Sequence, residues 1–136
     1  MILKVTIPGA PVAQGRPRFS NVHGYPMAYE SKKCRDYKLY AAMIIQDAWQ
    51  SKPIDGYFMV TIDVYLELPK SWSKKEKNRA LSGLVRPGKP DLDNYAKSLL
   101  DACNKVVWNN DSQVVSLIIS KWYDIVARAE LEVNFA

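Results

Sequence analysis

The stretch Lys89–Val114, KPDLDNYAKSLLDACNKVVWNNDSQV, carries four aspartates in a run that is otherwise helix-forming and apolar. Leu92, Tyr95, Ala96, Leu99, Leu100 and Cys103 recur at spacings of three and four, which predicts an amphipathic helix from Asp91 to Cys103 with that stripe on a core. At about 100° per residue, Asp93, Lys97 and Asp101 then share the flank away from the stripe. Asp91 stands where the helix begins and suits an N-cap. Val106 to Trp108, a turn at Asn109-Asn110-Asp111 and an apolar run from Val114 to Ile119 come next, so helix, turn and strand are read in succession.

Outward from this stretch the same alternation between periods continues. Leu3, Val5 and Ile7 alternate with Lys4 and Thr6 as a half-buried strand that Pro8-Gly9 ends. PVAQGRPRFSNVHGYPMAYES reads as a Pro- and Gly-rich loop holding Arg16 and Arg18. From Ser31 to about Gln50, Tyr37, Tyr40, Ala41, Ile44, Ile45 and Ala48 follow helical spacing, with Lys32, Lys33 and Arg35 in the first turns against the helix dipole. Tyr57 to Leu68 is a long strand with Phe58, Val60, Ile62, Val64, Leu66 and Leu68 on one face. Ser73-Lys74-Lys75-Glu76 fits a capping box, and Gly83 suits a C-terminus, for a short basic helix over Lys74 to Ser82. Ala127, Ala129, Leu131, Val133 and Phe135 alternate as a closing strand. The expectation is a single α+β domain, residues 1–136, with a mainly antiparallel or mixed sheet and about three helices.

Composition narrows the function classes. The 136 residues allow one domain with a sizeable core, and the formal charge of +5 is compatible with a polyanionic partner, nucleic acid first. No apolar run approaches the ~18 to 20 residues of a membrane span, and MILKVTIPGA lacks the features of a signal peptide, so a cytoplasmic protein is expected. Cys34 and Cys103 stand apart without a CxxC and read as buried thiols, and His23 is the single histidine, which leaves no basis for a zinc centre or a His-dependent triad. GLVRPGKP, Gly83 to Pro90, matches GxxxxGK, but Pro90 stands where a nucleotide-binding loop needs Ser or Thr and a capped helix precedes it. No nucleotide cofactor is expected, and Gly88 and Pro90 shape the approach to the acids instead.

A purely structural account of those acids is available: one capping Asp, plus Asp93–Lys97 and Lys97–Asp101 pairs contributing about 0.2–0.5 kcal/mol each. Against it, PDLDN sets two carboxylates two residues apart after a proline, where they repel unless a cation lies between them. Asp111 stands in a later turn from which the chain could return beside the helix start. Three converging carboxylates suit a hard ion such as Mg2+, with Mn2+ as the alternative, and metal-assisted attack of water on a phosphodiester. Lys97, a turn beyond Asp93, would stabilise charge building on the phosphate.

KPDLDNYAKSLLDACN followed by NNDSQV resembles the signature of the RusA-type crossover-junction endodeoxyribonucleases, Holliday junction resolvases common in prophages. PVAQGRPRF and LPKSWSKKE are also similar to segments of that family, so the likeness covers most of the chain. The resemblance implies that Asp91, Asp93 and Asp111 are metal-binding catalytic acids and Lys97 the catalytic lysine, with a structural role open for Asp101. The family commonly has two aspartates before its xQV; here the first is Asn110 and the second, Asp111, is retained. A Mg2+-dependent homodimer that cuts four-way DNA junctions symmetrically is therefore expected, with Arg16, Arg18, Lys70, Lys74, Lys75 and Lys89 as candidate backbone contacts. A junction-binding protein whose site Asn110 has disabled is the alternative, and a basic α+β interaction domain the third reading.

Overall fold

Alternation brings Leu3, Val5 and Ile7 to one face of the first strand, and all three are buried. The computed structural model describes residues 2–15, 18–21 and 24–136. Its elements are β1 (Leu3–Pro8), β2 (Arg18–Ser20), β3 (Met27–Tyr29), α1 (Lys32–Trp49), β4 (Phe58–Glu67), α2 (Lys74–Leu81), α3 (Leu92–Cys103), a single 3-10 turn (Asp111–Gln113), β5 (Val114–Asp124) and β6 (Arg128–Phe135). The α+β class with three helices and a mixed sheet is as expected. One stretch differs: the segment read as a loop holds a small hairpin, in which β2 and β3 pair antiparallel from Arg18 opposite Tyr29 to Ser20 opposite Met27. Strands of three residues are too short to show a period of two.

The main sheet has the order β1-β6-β4-β5, with β6 antiparallel to both β1 and β4, and β4 parallel to the edge strand β5. Phe58 lies beside Val114 and Glu67 beside Asp124, so β4 and β5 both start at one end of the sheet, the near end, and finish at the other, the far end. Because β5 is parallel to β4, the chain must cross back between them, and α2, α3 and the 3-10 turn make that crossing.

Both long helices cover one face of the sheet. Ser31 caps α1 by accepting the Cys34 amide at 3.2 Å, and Gln50 ends it in the left-handed region at φ 46°. Cys34, Tyr37, Ala41 and Ile45 are its buried stripe, while Tyr40 and Ala48, both expected in the core, are exposed. α3 lies beside α1 and runs the same way: Cys34 Sγ is 4.0 Å from Ser98 Oγ, and Lys38 meets Asp101 at 2.7 Å. Tyr95, Ala96, Leu99 and Cys103 are buried as the periodicity predicts, joined by Ser98 and Ala102, while Leu92 and Leu100 are half-buried. Phe58, Ile62 and Leu99 are at most 1% exposed, and burial of such side chains contributes roughly 1.5–3 kcal/mol each. Trp108 closes the near end of the core against Phe58, ring centroids 5.5 Å apart, and Phe58 stacks on Phe135 at the same separation.

Candidate active site

α3 begins at the far end. Asp91 occupies its N-cap in extended conformation (φ −70°, ψ 152°), yet its side chain makes no capping hydrogen bond. The contrast is with Ser31 and Ser73, whose hydroxyls accept from Cys34 N and Glu76 N at 3.2 Å each. Asp91 therefore has the position expected of a cap without its bond. Asp93, in the first turn, gains from the positive end of the helix dipole but is not paired with Lys97, contrary to the i,i+4 expectation. Both carboxylates are exposed, and neither forms an ion pair or side-chain hydrogen bond with a described residue.

Lys97 instead meets Asp101 Oδ1 at 2.9 Å, while Lys38 takes Asp101 Oδ2 and Glu30 Oε2, each at 2.7 Å. Burial pushes the Asp101 carboxyl up, but the ammonium groups of Lys38 and Lys97 outweigh it and hold the carboxyl below its usual range. Burial likewise lowers Lys38, and its two carboxylate partners reverse that, leaving it above the ordinary lysine value. Lys38, Asp101 and Lys97 thus form a relay that fixes the Lys97 ammonium on the exposed flank, one turn beyond Asp93.

The approach to Asp91 is clamped to the far half of β5. Lys121 Nζ donates to Pro90 O at 3.1 Å and to Gly88 O. Arg86 lies 3.4 Å over the Trp122 ring, donates from Nε to Gly83 O at 3.2 Å, and from Nη1 to Lys121 O at 3.1 Å. Trp122 Nε1 is anchored in turn by Asp63 Oδ1 at 3.0 Å. Sequence reasoning misses Lys121, Arg86 and Lys38. A lysine inside SLIISKWY is the available signal for the first, and Arg86 lies within the stretch that imitates a nucleotide-binding loop.

Asp111 is elsewhere. It lies beside the last turn of α3, where burial pushes the Cys103 thiol up and the Asp111 charge adds to that shift. Its Oδ1 accepts from Trp108 Nε1 at 2.9 Å. Gln113 fixes the turn, its Oε1 accepting the amides of Asn109 and Asn110 at 2.9 and 3.1 Å and its Nε2 donating to Ile54 O and Gly56 O at 3.0 Å each. Asn110 caps the 3-10 turn through Ser112 N at 2.9 Å, from an extended backbone (φ −149°); it is not the left-handed turn residue that an NND connection suggests. Twelve helical residues at about 1.5 Å each separate the two ends of α3 by roughly 18 Å. Asp91 and Asp93 stand at one end and Asp111 at the other, so one chain does not bring the three together. Among the described residues no group of three or more His, Cys, Asp or Glu is arranged to hold a metal ion. The three-carboxylate donor set is not present within a single chain.

The basic candidates gather at the far end. Lys70, Lys74, Lys75 and Lys89 are exposed, and none is ion-paired with a described residue. Lys70 and Lys74, with Lys77, line a surface groove of about 340 Å³ between the end of β4 and α2. Arg18 opens β2, while Arg16 and His23 lie outside the described residues. No helix among the described residues is long and apolar enough to cross a membrane.

Comparison with known proteins fits this arrangement to a family. A relative from Bacillus subtilis (strain 168), named Uncharacterized protein YqaN, is 40% identical over 135 residues, which cover 97% of this chain and 95% of that protein. The family model described as endodeoxyribonuclease RusA matches residues 8–134, so both ends of α3, the far-end lysines and the DSQV turn all lie within the match, and the chain belongs to the RusA endodeoxyribonuclease family.

Proposed function

We propose that this endodeoxyribonuclease-family chain is a structure-selective enzyme that resolves four-way DNA junctions by paired phosphodiester hydrolysis, as a homodimer dependent on Mg2+ or Mn2+. Its setting is recombination and repair in the cytoplasm, with a prophage origin. The observation that carries the reading is the state of Asp91 and Asp93: two exposed carboxylates at a helix start, engaged neither in capping nor in ion pairs with described residues. Like charges left so close are costly unless a cation or a reaction uses them. They are hard oxygen donors, the chemistry that suits Mg2+. The exposed Lys70, Lys74, Lys75 and Lys89 at the same end supply phosphate contacts that position a polyanion without reading its sequence. Lys97, oriented through Asp101 and Lys38, stabilises charge on the phosphate as the bond breaks.

The test is cleavage of a labelled four-way junction against a linear duplex of matched sequence, with Mg2+, Mn2+ or chelator, at fixed salt. Junction-specific, metal-dependent cutting is expected, and Asp91→Asn should stop it while binding is kept or tightened, since a negative charge facing phosphates is removed. Equal cutting of both substrates, or binding that disappears in step with cutting, would overturn the reading.

A further inference from the structure

The separation of Asp111 from Asp91 and Asp93 has a geometric resolution in the edge strand. β5 pairs on one side only, with β4, and its near half carries exposed apolar side chains: Val115 57%, Leu117 39% and Ile118 58%. Its far half is not open, because Arg86 occupies the outward carbonyl of Lys121 and the segment from Gly83 to Pro90 lies against it. Alternation along a strand then directs the amides and carbonyls of Leu117 and Ile119 off the sheet in the same sense as the Lys121 carbonyl. A bare, apolar, half-length edge of this kind is a template for another strand.

We infer that the occupant is the β5 edge of a second copy, paired antiparallel about a twofold axis at Leu117, and that this pairing places Asp111 of each copy beside Asp91 and Asp93 of the other. The inference rests on the nuclease reading for the use of the site, and on the fold alone for the pairing. With Leu117 opposite Leu117, Val115 lies opposite Ile119 and the open half of the edge is covered. An antiparallel mate reverses the strand, so the near end of one copy comes level with the far end of the other. At about 3.3 Å per residue, Asp111 of the second copy reaches the level of Lys121 to Tyr123, where Lys121 holds the Gly88 and Pro90 carbonyls just before Asp91. The charges match, since an acid arrives at a lysine. The faces match too: a twofold normal to the sheet keeps the helices of both copies on one side, and Asp111, next to Cys103 of α3, is on that side. One interface therefore does two things that a single chain leaves undone. It covers an apolar edge, and it assembles the three acids twice.

Three measurements test this together. Sedimentation equilibrium should give twice the chain mass of 15.5 kDa, and Ile118→Lys should give the single mass with unchanged far-ultraviolet circular dichroism. Leu117→Cys should cross-link to itself on mild oxidation, because hydrogen-bonded antiparallel positions have Cα atoms about 5.5 Å apart, within disulfide reach, while native Cys34 and Cys103 are buried. Mixing Asp91→Asn and Asp111→Asn chains should restore nicking that neither shows alone. Each mixed dimer holds one site with both acids, so random pairing returns about a quarter of the wild-type sites. A monomeric wild type, or no cross-link at Leu117, overturns the pairing. Active wild type with no rescue in the mixture shows that the acids act within one chain and overturns the shared site. A wild type silent on every junction and metal refutes the proposed function instead, and the cross-link and mass still decide the pairing.

Discussion

Replacing Asp111 separates the charge of that carboxylate from its structural bond. Trp108 is fully buried, and its indole N–H donates to Asp111 Oδ1 at 2.9 Å. Asp111→Ala leaves a buried donor without its partner, at a cost of about 1–3 kcal/mol. For a domain of this length, 1 kcal/mol moves Tm by roughly 3–5 °C, so the alanine variant should melt roughly 3–15 °C lower. Asp111→Asn keeps an acceptor oxygen in the same place and loses only the charge-assisted part of the bond, about 1 kcal/mol or less, which is under ~5 °C. Both variants should fail to cut junctions. Thermal unfolding followed at the tryptophan signal, alongside junction cleavage at saturating Mg2+, measures the two effects separately. Equal melting of the Asn and Ala variants would refute the assignment of the Trp108 bond. Cleavage by Asp111→Asn at the wild-type rate would refute any need for its negative charge.

The far-end site and its neighbouring turn yield three more expected outcomes. Lys97→Ala should slow cleavage roughly 100-fold while costing about 0.5 kcal/mol or less of stability, since Asp101 keeps Lys38; a rate within twofold of wild type would reduce Lys97 to a pairing role. The carboxyl of Asp101 is held below its usual range, so its stabilisation is complete above the unfolded value near ~4 and is lost as pH falls through the lower folded value; Lys38→Met should flatten that acid loss in urea midpoints measured from pH 7 to pH 2, and an unchanged acid limb would contradict the relay. Asn110→Asp should keep its cap to Ser112 N and remain active; a silent wild type switched on by this substitution would instead mark a disabled nuclease that only binds junctions.

Legibility in the sequence tracked the strength of local signals. Leu3, Val5 and Ile7, or Leu99 and Cys103, face the core because burial of one face imposes the period of the element, and that period is written in the chain. Ser31, Ser73 and Gly83 marked helix ends for equally local reasons. The type of each acid and its place on a helix start or turn were readable in the same way. Their mutual positions were not, because the distance from Asp91 to Asp111 depends on α3 running from the far end to the near end, a property of the crossing between two parallel strands. Lys121 and Arg86 escaped notice for the same reason. Their partners, Gly88, Pro90 and Trp122, become neighbours only once the loop before α3 lies against β5.

That same crossing bears on why such a site should be divided at all. A parallel β4–β5 pair forces the connecting helix to span the sheet, so residues flanking α3 are held at opposite ends for as long as the helix is intact. No loop adjustment of a few ångströms closes a gap of roughly 18 Å. A chain with this topology can gather acids from both ends of α3 only by symmetry. An isologous interface then forms both sites or neither, since the contact that completes one completes the other. Cleavage by a lone chain is thereby suppressed. On a four-way junction, whose own arms are related by an approximate twofold, two sites born of one contact face two opposed strands, and paired incision results from how the acids are shared between the copies.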